Sequence, residues 1–152
     1  MSAESQFRRQ VQEFGFDYDR VRSELAALNM GTTPGEVAWE AGNRRLVAQH
    51  KAQDWHGMSM TYLGMALVVW WDADTDVAPA RSFDLQDQAN VAVLKAYSDH
   101  GVQKFQVGGC ACRVCARDAG RKVTYASQVK TRIIPHRNCE EGWCGCEFSP
   151  VR

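Results

Sequence analysis

All six cysteines of this 152-residue chain fall between Cys110 and Cys146, and no other feature restricts its fold as strongly. Thiols crowded into one stretch are cross-linked, left free or gathered on a metal, and the redox compartment decides among these. The opening Met1-Ser2-Ala3-Glu4-Ser5-Gln6 is polar and charged, without the apolar stretch of an export signal. The expectation is therefore a cytoplasmic, reducing setting, in which clustered thiols favour metal.

The spacing supports a metal. Cys112 and Cys115 form a C-x-x-C knuckle, which points two thiolates at one ion while amides of the turn face the sulfurs. Some twenty residues on, Cys139, Cys144 and Cys146 supply a second half. Four of these five are expected to hold one structural zinc ion, Zn2+: Cys112, Cys115 and Cys139, completed by Cys144 or Cys146, with His136 as an alternative ligand. Cys110 is read as a spare thiol or a group behind the ligands, and Trp143 as the cover of the site. A redox-active knuckle would need a thioredoxin-like strand-then-helix context, which the residues around Cys112 do not offer. A segment this poor in apolar residues needs ligation to fold, and structural zinc supplies on the order of 10 kcal/mol.

The rest of the chain reads as helix. Gln6 to Phe14 and Tyr18 to Leu28 form two short helices broken at Gly15, the second with Val21, Leu25 and Leu28 at helical spacing. Thr33-Pro34-Gly35-Glu36 holds the parts of a capping box, so a helix starts there and runs to about Lys51. Asp54 can cap the next, Trp55 to Trp71, whose apolar set Met58, Tyr62, Met65, Ala66, Val69 and Trp70 predicts a buried central helix. Its most apolar run, Met65 to Trp71, falls far short of the roughly 20 residues of a membrane span, so no membrane partner is expected. Ser82 or Asp84 is expected to cap a fifth helix ended by Gly101. Beyond it, strands are expected near Phe105-Gln106-Val107 and Glu147-Phe148, with a helix from Thr124 to Arg132 whose Val129 faces inward.

The fold class predicted is mainly α: a helical bundle or tetratricopeptide-like hairpin array over residues 1–101, then a small α+β zinc-binding module over 102–152. His50, His56 and His100 fall on predicted helices as surface or capping residues, and the tryptophans Trp39, Trp55, Trp70 and Trp71 as packing residues.

The order Cys112-x-x-Cys115, Gly120 with a basic residue, Pro135-His136-x-Asn138-Cys139 and a closing Cys144-Gly145-Cys146 resembles the C-terminal cysteine motif of phage Mu F-like minor head (head-morphogenesis) proteins. Here the closing Cys-x-Cys begins only five positions after Cys139. The layout is also similar to a group of uncharacterised bacterial helical proteins in which a Trp-His-x-Met helix, here Trp55-His56-Gly57-Met58, precedes a C-x-x-C...C...C-x-C tail. The first resemblance implies phage-derived origin, and neither brings an enzymatic activity.

Lys plus Arg equals Asp plus Glu at 18 each, so no global field draws the chain to a polyanion, and nucleic-acid binding would need a local patch. Arg113, Arg117, Arg121 and Lys122 are the candidate phosphate contacts. The function expected is a non-catalytic zinc-stabilised interaction protein that binds protein or nucleic acid. The alternative is a nuclease-like, nucleic-acid-processing enzyme with a structural zinc. His136 and Asn138 invite that comparison, but no Asp-His dyad precedes them. Glu140 and Glu141 beside Cys139 read as a solvated loop rather than the general base of a zinc hydrolase.

Overall fold

A computed structural model describes residues 2–71, 77–109 and 111–152. Mainly helical, it carries a small antiparallel sheet and the cysteine cluster at its C-terminal end, in the order α1 (Ala3–Glu13), α2 (Tyr18–Ala27), α3 (Pro34–Lys51), α4 (Trp55–Trp71), α5 (Val77–Asp99), β1 (Lys104–Gly108), α6 (Arg113–Ala116), β2 (Lys122–Thr124), α7 (Tyr125–Lys130) and β3 (Glu147–Pro150).

Local chemistry sets most of these boundaries. The Thr33 hydroxyl accepts from the Glu36 amide while the Glu36 carboxylate accepts from the Thr33 amide, with Pro34 at the first position of α3, where no amide hydrogen is needed. Asp54 caps α4 by accepting from the Gly57 amide at 2.9 Å. Gly101 follows α5 with φ +81°, a left-handed conformation that lets the chain turn out of the helix. His100 adds to that end, its Nδ1 2.8 Å from the Ala96 carbonyl.

Two expectations fail at helix ends. Neither Ser82 nor Asp84 caps α5, which is already helical at Val77, where the described residues resume. Fully buried Ser82 instead donates to the Ala66 carbonyl of α4 at 3.0 Å. In α7 the buried side chain is Gln128, 5% exposed, while Val129 is 52% exposed. Gln128 accepts from the Ile133 amide at 2.8 Å, which satisfies the chain where it leaves the short helix, and this outweighs the apolar residue beside it.

Helices α3, α4 and α5 form an antiparallel stack with α4 in the middle, and α1 and α2 pack on α3. Ser82 near the start of α5 meets Ala66 near the end of α4, and Lys95 near its end lies over Trp55 at the start of α4. The core of this part joins Phe7, Val11, Phe16, Tyr18, Val21, Val37, Ala38, Met65 and Ala66. At Gly42 a Cβ would fall 2.7 Å from Met65 Cγ, so α3 and α4 approach closely there. The end of α4 departs from a buried helix: Trp70 and Trp71 are 36% and 49% exposed. No helix among the described residues is long and apolar enough to cross a membrane.

The sheet runs β2-β1-β3, antiparallel throughout, with Phe105 opposite Val123 and Val107 opposite Phe148. Alternation places Phe105 and Val107 on one buried face, where they join Phe148, Ile134 and Leu94 of α5 in a second core. Helix α5 therefore serves both halves: Leu85 belongs to the helical core, Leu94 to the sheet core, and Phe83 to a third cluster made otherwise of cysteines.

Candidate metal centre

That third cluster gathers the sulfurs. The segment leaving β1 is pinched at its base, because Val107 donates to the Arg121 carbonyl (2.9 Å) and Gly120 donates back to the Val107 carbonyl (2.8 Å). The Cys112–Cys115 knuckle thus stands on the end of the β1–β2 ladder, with Cys112 at the N-terminus of α6. A Cβ at Gly109 would lie 2.7 Å from the Ala119 Cβ, so only glycine lets the two arms of this segment close. From the other side β3 pairs with β1 directly after Cys146, which carries Cys144 and Cys146 to the same place. The turn after Pro135, whose peptide bond with Ile134 is cis, delivers His136 and Cys139.

Cys112, Cys115, Cys139 and Cys144 are buried and Cys146 half-buried. No disulfide links any two of these five. Their donor atoms form two sets, each with all members within 4.8 Å of one another: Cys115, His136, Cys144 and Cys146, and Cys112, Cys115 and Cys139. In the first set Cys115 Sγ lies 3.8 Å from Cys144 Sγ, and His136 Nδ1 lies 3.7 Å from Cys144 Sγ and 3.6 Å from Cys146 Sγ. A tetrahedral zinc-sized ion with metal–sulfur bonds of about 2.3 Å and metal–nitrogen bonds of about 2.0 Å has edges of about 3.8 Å between sulfurs and about 3.5 Å between nitrogen and sulfur. Three of the set's six donor–donor distances stand near those edges and the others lie within 4.8 Å, so the set could hold a metal ion. All five cysteines and His136 singled out by spacing come together here; Cys110 lies outside the described residues.

The surroundings fix the donors. His136 Nε2 lies 2.9 Å from Asp118 Oδ2, an arrangement that places the ring proton on Nε2 and turns the Nδ1 lone pair toward the sulfurs. His136, then Arg121, hold the Asp118 carboxyl below its ordinary range. The His136 amide donates to Cys144 Sγ at 3.2 Å and the Glu140 amide to Cys112 Sγ at 3.4 Å. The amides of Cys115, Glu140 and Val114, helped by Cys139, hold the Cys112 thiol down at about 7 against its burial. Burial pushes the Cys139 thiol up, and it donates to the Trp143 carbonyl at 3.1 Å. The ring of Trp143 does not cover the thiols; it packs on the helical core and against Trp70, with centroids 6.4 Å apart.

A polar relay that spacing alone does not reveal ties the site to the helices. The Cys144 amide donates to Gln86 Oε1 at 3.1 Å, Gln86 Nε2 donates to Ser82 Oγ at 3.2 Å, and Ser82 donates to the Ala66 carbonyl. Gln86 is 2% exposed. Two ion pairs reinforce the seam: Arg132 reaches both oxygens of Asp87 at 2.5 and 2.8 Å, and Arg137 meets Asp84 at 2.7 Å. The only signal for these in the sequence is a run of polar residues inside an apolar helical pattern.

Of the four candidate phosphate contacts, Arg113 pairs with Glu140 (3.3 Å) and Arg121 with Asp118 (3.1 Å). Arg117 and Lys122 are exposed and meet no carboxylate among the described residues. Comparisons with family models, curated proteins and solved structures return no match.

Proposed function

We propose that this chain is a non-catalytic interaction protein whose C-terminal third is held by structural zinc and offers a basic surface to a protein or nucleic-acid partner. The observation that carries the reading is the set Cys115, His136, Cys144 and Cys146, whose donor atoms all lie within 4.8 Å of one another, three of the pairs near tetrahedral edges. Four protein donors close the coordination sphere, which is the mark of a structural rather than a catalytic zinc site. Thiolate-rich tetrahedral surroundings favour zinc over harder cations.

Charge supports the choice of surface. Residues 102–152 contain nine Lys and Arg against four Asp and Glu, and since the whole chain balances at 18 and 18, the first 101 residues carry the opposite excess. Part of that asymmetry is spent on docking to α5 through Asp84 and Asp87. Arg117 and Lys122 remain for an acidic partner, in keeping with a phage-derived ending. The same charge excess is what favours the second reading, a nucleic-acid-processing enzyme with zinc as support.

Elemental analysis of the reduced chain, fluorescence anisotropy with DNA and RNA across a salt series, and incubation of both with and without Mg2+ separate these. The account predicts bound zinc and no cleavage. Salt-dependent binding whose log–log slope falls by about 1 for each of R117A and K122A identifies a nucleic-acid partner; no such binding identifies a protein partner. Mg2+-dependent cleavage overturns the non-catalytic reading.

A further inference from the structure

We propose that two divalent cations, not one, sit in this cluster and share the Cys115 thiolate: one on Cys115, His136, Cys144 and Cys146, the other on Cys112, Cys115 and Cys139. The inference rests on the zinc-stabilised reading above and extends it from one ion to two. A tetrahedral ion has four places, and the described residues bring six donors together. Those donors divide into two mutually close sets that overlap at Cys115 alone. An ion on the first set leaves Cys112 and Cys139, 3% and 7% exposed, beside a sulfur that is already ligated.

Cys115 is built for the shared position. It is 0% exposed, sits in the single turn of α6 between both sets, and a thiolate sulfur has lone pairs for two cations. Each set also has an amide aimed at one of its sulfurs, His136 N on Cys144 and Glu140 N on Cys112, the hydrogen bonds that stabilise metal-bound thiolate. On loading, five thiols bind as thiolates and release their protons to solvent, His136 contributes its Nδ1 as a neutral ligand, and two divalent ions leave one net negative charge. The proton Cys139 now donates to the Trp143 carbonyl is among those released. Water or another donor fills the second ion's fourth place.

The test uses the full chain, reduced, stripped of metal and titrated with Co2+, read by native mass spectrometry after desalting and by electron paramagnetic resonance. The expected result is two ions per chain, with a cobalt signal that grows to one equivalent and then falls as the second ion couples magnetically through the shared sulfur. The double variant C112S/C139S should retain one ion and keep the sheet by circular dichroism, and H136A/C146S should also drop from two to one. One ion in the unaltered chain overturns the shared pair and leaves the zinc-stabilised reading standing; none overturns both. Two ions whose cobalt signals simply add, or two ions retained by C112S/C139S, also overturn the pair.

Discussion

Gln86 and Asp118 show how much of this site is set by side chains that bind nothing. Buried Gln86 is the partner of the Cys144 amide, so Q86L strands that donor and also frees Ser82. Loss of stability of about 1–3 kcal/mol is expected, the cost of an unsatisfied buried donor, and urea denaturation of the metal-loaded chain measures it. Asp118 would act on a bound ion through His136, whose Nε2 it holds. D118N should weaken metal affinity about 10- to 100-fold while C-terminal strand content is kept, as competition with a chromophoric chelator reads out. An unchanged affinity would mean that the ring is held by something other than Asp118.

Helix α5 is the element on which both halves depend, since one side of it completes the helical core and the other carries Phe83, Gln86, Asp87 and Leu94 into the C-terminal third. F83A removes the aromatic floor beneath the cysteines, and a loss of about 3–5 kcal/mol is expected by calorimetry. Much of the element pattern was legible beforehand: the Thr33–Glu36 box, the Asp54 cap, the Gly101 stop and the strands at Phe105–Val107 and Glu147–Phe148 all follow from local chemistry that tertiary packing does not override. The caps expected for α5 were misplaced, because Ser82 and Asp84 lie inside a helix already formed at Val77 and the Ser82 hydroxyl turns to the Ala66 carbonyl instead. Nor was the inward face of α7 legible, since a helix of six residues is oriented by where the chain leaves it, here at Ile133. Spacing put the five cysteines and His136 together but could not divide them into sets, because that division depends on the β1–β3 register.

For the molecule as a whole, stability is divided unevenly. The helices share a contiguous apolar interior, whereas the C-terminal part has a small sheet core and a cluster of sulfurs. Metal bound only by the folded state adds stability by mass action, about 2.7 kcal/mol at a free concentration one hundred times the dissociation constant. The midpoint of thermal unfolding should accordingly rise with buffered free zinc, and a midpoint indifferent to zinc would be contrary. The most direct measurement is amide hydrogen exchange on the reduced, zinc-loaded chain before and after a strong chelator. Protection across β1 and β3 should collapse while that of α3 and α4 persists; equal protection in both states would show that the C-terminal third holds its shape without metal.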